Sequence, residues 1–230
     1  MFDKFAEFMN RFFLPLARKV DNQRHLSAIK AGMMALTPFT ILGSFFAVIP
    51  AIPNMLSATN PVAVFINDNA ALIDLPVTLS IGLIGMYACM AISYNLGKYY
   101  KLYIPGCVTL STFSFLFMVA TFNDEGQLIL KNLGARGLFT AMIVGLLTVE
   151  LYNFCKKRNI TIRMPEGVPD FVSQSFELIP VTLIVGGTFI VLRFIFLNVI
   201  GELPPSLLTR FLTPLVGSMD NPWAVLMLNF

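Results

Sequence analysis

Long apolar stretches separated by short polar ones dominate the chain. Residues 31–52, 75–96, 104–122, 137–155 and 178–201 are almost free of charge. A helix needs about 20 mostly apolar residues to cross a hydrocarbon core about 30 Å thick. Each stretch meets or nearly meets that length. The apolar runs are continuous and do not alternate with polar residues, which predicts helices and not barrel strands. Of the 29 charged residues, 27 lie outside these runs, and only Glu150 and Arg193 lie within them. The expected fold class is an all-α integral membrane protein, a polytopic bundle of about five transmembrane helices.

Two further segments repeat at helical spacing. Phe2, Phe5, Met9, Phe12, Phe13, Leu16 and Val20 mark one face of the first twenty residues, and Asp3, Lys4, Glu7, Arg11 and Lys19 mostly take the other. This predicts an N-terminal amphipathic helix, lying in the interface or packed on the rest of the protein. After the fifth stretch, Leu203, Leu207, Leu208, Phe211, Leu212 and Leu215 predict a short amphipathic helix at the outer surface, opened by Pro204 and Pro205. Residues 223–230 begin another apolar run. Eight helical residues rise only about 12 Å, so this run reads as the start of an interrupted sixth span. Residues 1–222 are read as one five-span unit.

The composition supports this division. Hydrophobic residues make up 56% of the 230 and charged residues 13%, about half the charged share of a soluble domain. Lipid must therefore be the solvent for much of the surface. No basic block with interleaved aromatics supports nucleic-acid binding. The basic residues are placed asymmetrically. Twelve Lys and Arg fall before the first span and in the loops after the second and fourth, against three on the other side (Lys131, Arg136 and Arg210). Positive loops stay inside, so the N-terminus is expected in the cytoplasm. Cys89, Cys107 and Cys155 sit in apolar stretches without metal-ligand spacing and are expected to pack as small apolar side chains.

Ionisable residues inside spans are the first functional candidates. Glu150 lies about 8 Å from the inner end of its span and Arg193 about 22 Å into the next, at 1.5 Å per residue. These depths make a mutual ion pair unfavourable. A wet structural role is expected for Glu150. Arg193 is left three options: snorkelling, a lipid headgroup, or a partner not identifiable from sequence. His25 has nothing near it in sequence to complete a catalytic or metal set, so a solvated or interfacial position is expected. No catalytic residue, metal ligand set or cofactor motif is found. Gly82, Gly85, Ala88 and Ala91 place small residues every third position, which predicts close packing against more than one neighbour. The loop Met164, Pro165, Glu166, Gly167, Val168, Pro169 predicts a compact turn. Ser173 or Ser175 is expected to cap the fifth helix, with Pro180 in its opening turns.

That loop, followed by Ser175-Phe176 and Leu178-Ile179-Pro180, resembles the membrane component (enzyme IIC) of the bacterial phosphotransferase system (PTS), lactose/cellobiose type. So do Arg24-His25-Leu26-Ser27-Ala28-Ile29-Lys30, Ala35-Leu36-Thr37-Pro38 and Gly43-Ser44-Phe45-Phe46. The resemblance runs along the whole chain. It implies a homodimeric permease in the bacterial cell membrane with about ten spans, of which the first five form the dimer-facing half. It also implies a β-linked disaccharide substrate and a cytoplasmic IIB protein that performs the phosphoryl transfer. The family's site histidine and glutamate belong to the later half, beyond Phe230, and His25 is not that histidine. The chain is therefore expected to be truncated before the sugar site; the alternative is a membrane scaffold that dimerises without transporting.

Overall fold

The computed structural model describes residues 23–56, 59–130, 132–162, 164–165, 167–207 and 210, with Phe171 described by its backbone alone. The expected N-terminal amphipathic helix and sixth span lie outside these residues. So does most of the outer amphipathic helix, although residues 204–207 are helical and begin at Pro204 as expected.

The first span is helical in pieces. Helix α1 (Arg24–Ala35) leads into α2 (Thr37–Ala47) and a 3-10 segment, Ile49–Met55. The breaks fall where proline removes a donor: Pro38 opens α2, and Pro50 and Pro53 lie in the tighter helix. Two short helices, α3 (Pro61–Asp68) and α4 (Ala70–Ile73), follow, with the Asn60 side chain accepting from the Val62 amide at 2.9 Å. The second span is α5 (Leu75–Ser80), a 3-10 turn (Ile81–Leu83) and α6 (Ile84–Tyr99). The remaining spans are α7 (Ile104–Val119), α8 (Leu138–Lys157) and α9 (Asp170–Ile195), the last running into a π-helical turn, Phe196–Ile200. A two-stranded hairpin, β1 (Thr121–Phe122) and β2 (Leu128–Ile129), joins α7 to α8.

Four helical stretches are long and apolar enough to cross a membrane: Arg24–Met55, Ala70–Tyr99, Ala135–Lys157 and Val172–Ile200. The third expected span is apolar too, but its helix stops at Val119 after 16 residues. At about 24 Å it is shorter than the hydrocarbon core.

Helix α6 is the hub, packed against α1, α7 and α8, and α9 closes on α7. The core between them is lined by Cys89, Leu96, Phe115, Val149, Val181 and Phe189, all 1% exposed or less. A second cluster joins Leu36 to Ile84, Ala88 and Ile92. All three cysteines are buried and unpaired, packing as small apolar groups. Half of the fourth span's apolar window is buried, but only 11% of the first and fifth. The first and fifth spans are thus the least buried of the four long apolar helices.

The small-residue stripe of the second span works at its centre. A Cβ on Gly85 would stand 2.7 Å from the Leu133 carbonyl oxygen and 2.9 Å from that of Gly134. The approach is needed because the 3-10 turn leaves the first amides of α6 without helical acceptors. The Gly85 and Met86 amides both donate to the Leu133 carbonyl, at 2.8 and 3.2 Å. Gly82, by contrast, is exposed, with nothing nearer its Cβ position than 3.8 Å. Gly85→Val is expected to destabilise by about 1–3 kcal/mol through forced backbone displacement. Gly82→Ala should stay within about 0.5 kcal/mol of the parent. Thermal unfolding in detergent compares the two, and equal losses would refute this division of the stripe.

The fifth helix begins differently from expectation. Its first helical residue is Asp170 and its cap residue is Pro169, in extended conformation; neither Ser173 nor Ser175 caps it. The Val172 and Ser173 amides bond to the Pro169 carbonyl at 3.0 and 3.1 Å. The two serines already lie within the helix, and Pro180 is its eleventh residue, in the third turn and not the opening ones. Asp170 in the first turn takes over the electrostatic part of a cap, since an acidic side chain is favourable beside the unpaired amides there.

Candidate functional site

The two charges inside the spans are both satisfied, each by groups distant in sequence. Glu150 lies on α8, seven residues before its end, or about 10 Å along the axis. One of its oxygens, Oε1, is met from two other spans. His25 Nε2, in the first turn of α1, lies at 2.6 Å. The Tyr100 hydroxyl, just after α6, donates at 2.5 Å. Arg24 Nε stands at 3.8 Å, with its guanidinium 5.4 Å above the Tyr100 ring. Beyond the solvated or interfacial position its sequence neighbours suggested, His25 is one arm of a cluster that joins the ends of three spans.

Chemically the cluster is a carboxylate held by donors. Burial, followed by the hydrogen bond to Glu150, pushes the Tyr100 phenol up to about 12. It remains a donor at neutral pH. Its folded value lies above the ordinary 10, so its contribution is complete below about pH 10 and is lost as pH rises toward 12. The Glu150 and His25 side chains are 32% and 30% exposed, so the cluster is wetted at one side. Among the described residues, no three His, Cys, Asp or Glu side chains form a metal-binding group.

Arg193 lies two residues before the end of α9 and settles the ending of the short α7. Its guanidinium donates to the Phe117 carbonyl and, at 2.7 Å, to the Ala120 carbonyl, and stacks 5.3 Å from the Phe117 ring. The last carbonyls of any helix lack intrahelical donors. The end of the 16-residue α7 receives donors of this kind from Arg193. A cation is also the favoured partner for the negative end of a helix. Of the three options for Arg193, the structure selects a protein partner. Glu150 and Arg193 do not pair with each other.

Two features of the expected turn are described in the 164–169 loop. Gly167 adopts φ +103°, and the Val168 amide reaches the Pro165 carbonyl at 3.5 Å. Met164 and Val168 are half-buried and Pro165 and Pro169 exposed; Glu166 lies outside the described residues. Ser175 is exposed, one turn and a half into α9. Among the described residues, no hydrogen bond or ion pair joins this loop to the Glu150 cluster. Sequence reading missed the His25–Tyr100–Glu150 cluster because its members are 125 and 50 residues apart. One signal was present: a carboxylate in an apolar run demands donors, and the charge asymmetry puts His25, Tyr100 and Glu150 at the same membrane end.

An α-helical bundle with long apolar spans and internally satisfied charges defines the class: a polytopic membrane protein. Residues 30–229 match the family model "Phosphotransferase system, EIIC", and the chain belongs to that family. It is 30% identical over 191 residues to the lichenan permease IIC component of Bacillus subtilis (strain 168), covering 77% of this chain and 42% of the relative. It is 29% identical over 180 residues to the lactose-specific EIICB component of Staphylococcus haemolyticus (strain JCSC1435), covering 74% and 30%. The crystal structure of the transporter ChbC, the IIC component from the N,N'-diacetylchitobiose-specific phosphotransferase system, superposes with a TM-score of 0.76 at 28% identity. That match covers 92% of this chain and 52% of ChbC. The chain thus spans about half the length of ChbC, and less than half of these two curated relatives.

Proposed function

We propose that this chain supplies the membrane scaffold of a PTS sugar permease that binds and translocates a β-linked disaccharide for phosphorylation by a cytoplasmic IIB protein. The observation that carries this reading is the family match across residues 30–229, together with the satisfied, closely packed spans beneath it. The sugars named for the lactose-specific and diacetylchitobiose-specific relatives are β-linked disaccharides, and the name EIICB of the former joins the IIC and IIB functions in one component. These support the substrate class and the partner. The exposed apolar faces of the first and fifth spans support a homodimer in the bacterial plasma membrane. The basic loops support a cytoplasmic N-terminus. The unit 1–222 acts as the dimer-facing half, with residues 223–230 opening a sixth span, and the 164–169 loop shapes the cytoplasmic mouth or the dimer.

Equilibrium binding of radiolabelled cellobiose, lactose and diacetylchitobiose tests the reading. Residues 1–230 are expected to give no saturable binding. A polypeptide extended to the length of the relatives is expected to bind at least one of the three. Saturable binding by residues 1–230 alone would place the sugar site in this half and overturn the scaffold assignment. No binding by the extended chain would remove the substrate class.

A further inference from the structure

At the membrane end that carries the Glu150 cluster, the α6–α7 loop, the end of α8 and the start of α9 line an open cavity of about 570 Å³. It has the size of a small-molecule site. Lys101, Lys156, Asp170 and Glu177 line it, with Ser173 and Gln174 among them. Among the described residues, none of these four charges lies within 4 Å of an opposite charge. Two cations and two carboxylates therefore share one cavity without neutralising one another.

The depth of the cavity narrows the choice of occupant. The apolar runs 104–122 and 178–201 begin beside it and the run 137–155 ends beside it. Ile104 and Pro105 contribute apolar lining next to the charged groups. The cavity thus straddles the boundary between headgroups and acyl chains. A purely anionic headgroup would suit the lysines but would bring a phosphate toward Asp170 and Glu177. A headgroup carrying both phosphate and ammonium answers all four side chains, the phosphate at the lysines and the ammonium at the carboxylates, with Ser173 and Gln174 as neutral hydrogen-bonding groups.

We propose that this cavity is a lipid site selective for a zwitterionic headgroup bearing a phosphate and an amine. The proposal is independent of the sugar specificity. It is tested on the purified full chain by counting retained lipid in native mass spectrometry. Phosphatidylethanolamine and phosphatidylglycerol of identical acyl chains are supplied together. Retention is expected to favour phosphatidylethanolamine by about fivefold, the size expected of two partly exposed ion pairs. K101Q/K156Q should lose retention of both lipids. D170N/E177Q should remove the preference or turn it toward phosphatidylglycerol. All four side chains line an open, polar cavity, so these variants are expected to fold, and thermal unfolding without added lipid checks that. Equal retention of the two lipids by the parent would overturn the proposal, as would unchanged retention in both variants. Unchanged lipid retention with lost cross-linking of a IIB protein to K101Q/K156Q would also overturn it, making the cavity a protein-docking face.

Discussion

Replacing Arg193 by methionine will destabilise the protein by about 1–3 kcal/mol, the effect of leaving two half-buried carbonyls without a charge-assisted donor. Methionine keeps much of the apolar stem, so the loss measures the hydrogen bonds more than the packing. For a chain of this length the midpoint of thermal unfolding should fall by the order of 5–10 °C. The damage should be local first. Amides near the end of α7, around Phe117 and Ala120, will exchange with solvent faster than those of α8. Lysine at the same position should recover part of the loss, because one ammonium can reach one carbonyl but cannot span two as the planar guanidinium does. A methionine variant as stable as the parent would show that α7 ends in water and needs no donor from α9.

Glu150→Ala will loosen the base of α1. His25 and Tyr100 then lose their common acceptor, and the expected destabilisation is about 1–3 kcal/mol. Arg24→Ala should cost less than about 1 kcal/mol, because that pair is longer and half-exposed. Glu150→Gln keeps one acceptor and should fall between parent and alanine. A double-mutant cycle on His25 and Glu150 separates the pair from its surroundings, with an expected coupling near 1 kcal/mol. Strict additivity of the two alanine substitutions would show that the 2.6 Å contact contributes nothing to holding α1 on α8. Faster amide exchange confined to the first turn of α1 would identify the part released.

The legible part of this protein lies in its one-dimensional pattern. The helix starts at Leu75 and Ile104 follow from charge exclusion alone, since nothing charged survives in hydrocarbon without a partner. Pro204 was readable as a helix start because proline loses no needed bond there. The start of α9 was not so readable. Serine is a good cap in general, yet the chain turns into the helix at Pro169, because the turn fixed by Pro165 and Gly167 delivers the backbone there before either serine is reached. The lining of the polar cavity was equally invisible. Lys101, Lys156 and Glu177 line one cavity only because the ends of three helices meet.

The sequence by itself determined that this chain is a helical membrane protein, where its apolar helices run, and that Glu150 and Arg193 require explanation. The energetic reason is one-body: each residue's transfer from water to hydrocarbon depends on that residue, so it can be read position by position. Only the tertiary structure decided who answers those two charges. Partners 125, 50 and 76 residues away are chosen by helix packing and not by spacing along the chain. The length of α7 and its ending at Arg193 likewise belong to the fold, because the last carbonyls of a helix lack intrahelical donors and here another helix brings them.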